Sequence, residues 1–168
     1  MDFLSPAQTI TCWIALDDTY RDAGTLEYAP GSHRWPLTPI PEGFHAPEDY
    51  RALMRAAAKA AGAPIPEIVP VEVAAGSCVF HSGEIWHGSG PNRSEGRMRR
   101  AIGVHLIPET VEFTGRHGGY IYRRYQGTGD PTLGESFFPG IWFESRGRTP
   151  LVDSYCGKGQ RGNPDLGP

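Results

Sequence analysis

Cysteine is scarce in this chain: Cys12, Cys78 and Cys156 are the only three in 168 residues. An odd, scattered set excludes a disulfide framework and predicts reduced thiols in an intracellular, cytoplasmic protein. Long apolar runs are missing too, and none approaches the roughly 20 residues that a membrane-spanning helix needs. The residues near Met1 are not expected to act as a secretory leader, because Asp2 is acidic and no Lys or Arg precedes Arg21. The last residues, Asp165-Leu166-Gly167-Pro168, form no recognisable address tag. Positive charge is in short supply: 16 Lys and Arg against 19 Asp and Glu leave a net charge of -3. That gives no global electrostatic basis for binding nucleic acid or a membrane surface. Gly-rich phosphate loops, nucleophile elbows, internal repeats and low-complexity tracts are also absent.

What is present describes a folded, turn-rich protein. The length suits one domain with a real core, and 39% hydrophobic with 21% charged residues excludes disorder. With 22 glycines and 16 prolines, short strands joined by turns are favoured over a helical bundle. Residues 9–16 are rich in β-branched and aromatic side chains and stop at Asp17-Asp18, which reads as a strand and its terminal turn. A short strand over 25–29 ends in Pro30-Gly31-Ser32-His33, a turn in which His33 is a capping residue. Pro47-Glu48-Asp49 opens a helix over about 47–62. Tyr50, Leu53, Met54, Ala57 and Ala61 give it one apolar stripe, and Gly62 and Pro64 end it. The helix is expected to be an insertion that covers one edge of a sheet. Further strands are predicted at 68–73, 77–81 and 101–107. Residues 111–134 read only as a covering segment. Phe137-Phe138-Pro139-Gly140-Ile141-Trp142-Phe143 is an apolar patch expected to dock on the core. Residues 146–168 are expected to fray as a flexible tail. The expected domain therefore runs from 1 to 145, with the architecture of a β-sandwich or jelly roll.

The stretch on which chemistry converges is Val79 to Asn92, followed by Arg97, Arg99 and Arg100. It reads as a strand ending in a glycine-relaxed turn that presents His87, with only small residues following it. Arg99 stands just before the next apolar run, which suits a guanidinium that grips a carboxylate in a fixed fork. Alternation puts Arg99, Ala101 and Gly103 on one strand face and Arg100, Ile102 and Val104 on the other. One imidazole and one anchored arginine suggest a metal site with an acidic co-substrate.

Several motifs occur in a telling order: Trp13-Ile14-Ala15-Leu16-Asp17-Asp18, Gly24-Thr25-Leu26, Pro30-Gly31-Ser32-His33, Ala75-Gly76-Ser77, His87-Gly88-Ser89-Gly90-Pro91-Asn92 and Arg99-Arg100-Ala101. With Phe138-Pro139-Gly140-Ile141-Trp142 they resemble the phytanoyl-CoA dioxygenase family over roughly residues 9 to 143. The resemblance implies a mainly β, double-stranded β-helix (jelly-roll, cupin-like) enzyme. Its cofactors would be Fe(II) and 2-oxoglutarate, and it would hydroxylate a small organic substrate with O2. His87 matches the family's second histidine ligand to the metal. Arg99 matches the arginine that binds the distal carboxylate of 2-oxoglutarate, with Arg97 and Arg100 as alternatives. Ser89 matches a hydroxyl that assists that carboxylate, and Trp13 an aromatic lining the co-substrate pocket.

The resemblance has one departure. The family's His-x-Asp motif belongs shortly upstream of Trp13, and no His-x-Asp or His-x-Glu occurs anywhere in this sequence. The expectation is a C-terminal part of a dioxygenase, incomplete at its N-terminus and inactive alone for want of two metal ligands. The strand at 9–16 would then be an exposed edge whose partners are missing. Other ligand sets stand beside this reading. His81 with Glu84, or a cupin-like set that adds His105, could join His87. A Cys78-x-x-His81-x5-His87 zinc site is disfavoured, because alternation sends Cys78 and His81 to opposite faces. The alternative from another class is a non-catalytic β-sandwich remnant that binds a small carboxylate or a partner chain.

Overall fold

The computed structural model describes residues 4–5, 8–36, 47–114, 122, 124–145 and 147–156. They divide into two compact units, one of residues 8–106 and one that joins 1–7 to 107–168. The predicted mainly β, antiparallel architecture is present. In the first unit, β2 (Ile10–Ala15) pairs on one side with β5 (Cys78–Ser82) and on the other with β7 (Ala101–Leu106). A second three-stranded sheet sets β3 (Leu26–Tyr28) between β4 (Val69–Pro70) and β6 (His87–Ser89). Both crossovers in strand order are those of a double-stranded β-helix. The described strands do not close into a barrel.

The two sheets enclose one core because their strands alternate. Trp13 and Ala15 from β2 meet Leu26 from β3 and the buried Val71, with Tyr28, Val73, Val79 and Ala101 packed around them. β2 is therefore a central strand, not the unpartnered edge that its position near the start suggested. Its backbone groups are taken up by β5 and β7, whose partner residues lie 64 to 96 positions later. What is exposed is a face: Ile10, Phe80, Ile102 and Val104 all point away from the core and remain 39–64% accessible.

The helix α1 (Tyr50–Ala60) forms where the apolar stripe predicted it, with Asp49 accepting from the backbone N–H of Ala52 at 2.9 Å as its N-cap. It covers a sheet face, not an edge. Tyr50 lies over Gly88 so closely that any Cβ at 88 would run into the ring. Glu27, on the same outward face of β3, accepts from the Tyr50 hydroxyl at 2.6 Å and from Arg51 Nε at 2.6 Å and Nη2 at 2.8 Å. The polar residues of 17–25 are tied down as well. Thr19 and Thr25 donate to the Val71 carbonyl at 2.8 and 2.6 Å.

The second unit has its own small core. Two-residue strands β1 (Leu4–Ser5) and β8 (Glu112–Phe113) pair. Val111 and Phe113 are buried against Ile107, Tyr122, Leu133 and Phe138. The apolar patch at 137–143 is only partly docked. Phe138 enters this core and Phe137 stacks on Tyr125 at 4.6 Å, but Ile141 and Trp142 stay 51% and 70% accessible. Inside the stretch expected to fray, α2 (Pro150–Cys156) forms and buries Val152. Residues 157–168 and Tyr120 lie outside the described residues. Among the described residues no helix is long and apolar enough to cross a membrane.

Candidate functional site

His87 is not in a turn, as its glycine-rich surroundings predicted, but at the start of β6. It pairs opposite Tyr28 of β3. The turn falls earlier, at 83–84. Gly88, which loosens the sequence locally, is needed where Tyr50 crosses the strand on the outer side. Alternation then sends His87 and Ser89 inward, on the same face as Tyr28 and Leu26. The His87 ring donates from Nδ1 to the Ile85 carbonyl at 2.8 Å. That bond fixes the tautomer and leaves Nε2 as the electron-pair donor of the ring.

Arg99 precedes β7 on the facing sheet, not on a strand adjacent to His87. Its Nη2 nevertheless donates to Ser89 Oγ at 2.7 Å, two residues along β6 from His87. Ser89 in turn donates to the Gly24 carbonyl at 2.7 Å. Gly24 has a φ of +69° and sits against the backbone of Gly90 and Pro91, where a Cβ would not fit. Arg99 Nε is buried and has no hydrogen-bond partner among the described residues. A guanidinium N–H held away from water without an acceptor is costly, and a bound carboxylate is the group that would satisfy it. The two rival arginines are engaged elsewhere. Arg97 lies over the Tyr20 ring at 4.6 Å, and Arg100 forms a paired fork on Asp17 at 2.7 and 3.0 Å. Asp17 is held down to about 2 by those Arg100 hydrogen bonds.

Trp13 lies in the inter-sheet core, 8% accessible, packed with Leu26, which pairs opposite Ser89. Two further imidazoles that the sequence offers as alternative ligands share this inner face. His81 and His105 both stand in register with Thr11, one on either side of it. The rings of His81 and His87 are 4.9 Å apart between centroids. Tyr28 Oη is 2.7 Å from His81 Nδ1, and Thr11 Oγ1 is 3.0 Å from His105 Nδ1. Desolvation, then the proximity of His87 and His105, pulls His81 down to about 4, so it is neutral at pH 7. His105 is lowered by desolvation and by His87. Strand parity was the signal for both: His105 keeps the parity of Arg99, and His81 that of the core residue Val79. Glu84 is exposed in the turn, and Cys78 and His81 point to opposite faces.

Iron needs more than this. Among the described residues no three His, Cys, Asp or Glu side chains are gathered so that they could hold a metal. The described residues therefore do not make an iron site by themselves, whereas the orphaned Arg99 N–H does fit a carboxylate co-substrate.

Comparison with known proteins is consistent with this layout. A probable phytanoyl-CoA dioxygenase of Caenorhabditis elegans is 30% identical over 140 residues, 77% of this chain and 38% of that protein. Dioxygenase aneA of Aspergillus aculeatus is 28% identical over 115 residues, 67% of this chain and 32% of its own. Among solved structures, SnoK is a non-heme alpha ketoglutarate dependent carbocyclase from nogalamycin biosynthesis. It is 30% identical, with a TM-score of 0.52 and coverage of 76% of this chain and 46% of that one. The chain thus spans 28–38% of the length of the curated relatives it matches. The family model for phytanoyl-CoA dioxygenase (PhyH) matches residues 2–101, which takes in β2 to β6 and the His87 and Arg99 positions and stops at the first residue of β7. On that match the chain belongs to the phytanoyl-CoA dioxygenase family.

Proposed function

We propose that this chain is the co-substrate-binding part of an Fe(II)- and 2-oxoglutarate-dependent dioxygenase that hydroxylates a small organic substrate with O2. The observation that carries the proposal is the buried, partnerless Nε of Arg99 beside Ser89. Arg99 would bind the distal carboxylate of 2-oxoglutarate in a fork, and Ser89, anchored on Gly24, would hold the guanidinium at the right tilt. Trp13 and Leu26 form the apolar core behind Ser89. His87, with Nδ1 committed to Ile85, would offer Nε2 to the metal. Bound Fe(II) with 2-oxoglutarate supplies the oxidative decarboxylation and C–H hydroxylation chemistry. The ligands that would complete the iron site are not among the described residues.

The test is calorimetric titration of 2-oxoglutarate into the full chain and into Arg99→Lys. Saturable binding is expected, at least about tenfold weaker in the variant, because an ammonium cannot reproduce the bidentate fork. Equal affinity in the two proteins, or none in either, would remove the basis of the assignment.

The second reading, a non-catalytic remnant that binds a small carboxylate, is favoured by the absence of a three-ligand metal set among the described residues. Both readings expect carboxylate binding. Succinate formation that needs added Fe(II) and is lost in His87→Ala supports the enzyme, and tight binding without turnover supports the remnant.

A further inference from the structure

Two cysteines meet on the side of the β5-β2-β7 sheet that faces away from His81, Trp13 and Arg99. Cys12 pairs directly opposite Phe80, and Cys78 opposite Ile14, so the two cysteines are diagonal neighbours on adjacent strands with side chains on the outer face. Both are free thiols, Cys78 exposed and Cys12 half-buried. Burial, and then the neighbouring Cys78, push the Cys12 thiol above its ordinary value.

The backbone geometry decides what such a pair can do. Diagonal neighbours in an antiparallel sheet have Cα atoms about 7–8 Å apart. A disulfide spans about 7 Å at most without moving the backbone, and a central strand paired on both sides cannot move cheaply. A single atom held between the sulfurs fits this span better, since two metal–sulfur bonds of about 2.3 Å bridge sulfurs up to about 4.6 Å apart. Paired thiolates without an oxygen ligand select soft cations such as Cu(I).

We infer that Cys12 and Cys78 form a two-thiolate clamp for a soft monovalent cation of the Cu(I) and Ag(I) class on the outer face of the sheet. A two-coordinate ion needs no third ligand. On binding, each thiol releases its proton to solvent and each sulfur donates one electron pair. The product is a bis-thiolate complex of net charge minus one, with no change of oxidation state. Phe80, directly opposite Cys12 in register, shields one side of the ion from water. The inference does not depend on the co-substrate reading, because it uses the opposite face of the sheet.

The test uses the full chain with Cys156→Ser, which removes the third thiol. Anaerobic titration with Cu(I) against a chromophoric Cu(I) chelator is expected to show one ion per monomer. Titration with Ag(I), which is redox-inert here, is expected to give the same stoichiometry. Cys78→Ser and Cys12→Ser should each lower affinity at least about 100-fold. Circular dichroism identifies a variant that has not folded, and Cys78→Ala provides a second substitution at the exposed position. Half an ion per chain, with dimer formation that appears only on adding the metal and at a concentration where the metal-free chain is monomeric, would show bridging between copies and overturn the clamp. So would unchanged affinity in both serine variants. Treatment with oxidised glutathione supplies the remaining check. Mass spectrometry should find no peptide pair joined through Cys12 and Cys78, and finding one would overturn the argument from sulfur spacing.

Discussion

Arg99 donates from Nη2 to Ser89 Oγ at 2.7 Å, and the Ser89 hydroxyl donates its own hydrogen bond to the Gly24 carbonyl at the same distance. A hydroxyl that accepts and donates at once cannot rotate, so it fixes the plane of the guanidinium before any ligand arrives. Ser89→Ala removes that stop while leaving the positive charge in place. Net hydrogen-bond contributions of about 0.5–1.5 kcal/mol translate to roughly a two- to twelvefold weaker affinity for 2-oxoglutarate. The unfolding midpoint should barely change, since Ser89 is exposed in the chain itself. Paired titration and thermal unfolding of the two proteins check this. A loss of affinity matched by a large loss of stability would mean that Ser89 acts on the fold and not on Arg99. At this scale strand parity separated Arg99 from Arg100, and the stacking of Arg97 on Tyr20 could not be read locally. Parity also extends from Arg99 through Ala101 and Gly103 to His105, but nothing within β7 indicates that His105 will meet Thr11.

Among the elements, α1 is joined to the outer face of β3 and β6 mainly through Glu27. This carboxylate is 2% accessible and takes hydrogen bonds from Tyr50 and twice from Arg51. The Arg51 hydrogen bonds hold Glu27 below its ordinary value of 4.5, against the opposing pull of desolvation. Its folded-state value therefore lies below the unfolded one. The associated stability is fully present above about pH 4.5 and is lost as pH falls through the folded-state value. Glu27→Gln keeps the shape and removes the charge, at an expected cost of about 1–3 kcal/mol at pH 7. Arg51 is partly exposed and can rehydrate, which favours the lower end of that range. The variant should also lose less stability than the natural chain between pH 7 and pH 3. Urea unfolding at several pH values measures both effects, and parallel pH profiles would show that Glu27 is not the group responsible. The helix itself was legible from the stripe through Tyr50, Met54 and Ala57. That Tyr50 crosses Gly88 was not, because the contact joins residues 38 apart. The same limit hid β6, where His87-Gly88-Ser89 has little strand propensity and is extended by pairing with β3.

For the whole molecule, turn spacing and β-branched runs were enough to indicate a jelly roll, whereas the partners of each strand were not local information. Ile10, Cys12, Trp13, Ile14 and Leu16 looked like an edge because they come first, yet β2 is enclosed between β5 and β7. The consequence moves from backbone to side chains. Ile10, Phe80, Ile102 and Val104 form one apolar outer face with 52%, 64%, 48% and 39% of their surface accessible. Fully burying a side chain of this size stabilises by about 1.5–3 kcal/mol, so covering the exposed half of four against a second copy contributes about 3–6 kcal/mol, enough against the cost of association for a weak contact only. The chain is therefore expected to self-associate through this face, reversibly and more strongly with rising concentration. Phe80→Lys places an ammonium on this face, on β5 opposite Cys12, and should shift the population to monomer in sedimentation velocity. Association that persists unchanged in Phe80→Lys would point instead to pairing along the outer strands β6 or β7, whose backbone groups are each partnered on one side only among the described residues. Phe80→Lys should also leave 2-oxoglutarate binding intact, since Arg99 and Ser89 lie on the other side of the sheet. Loss of both properties together would mean that the two faces are not independent.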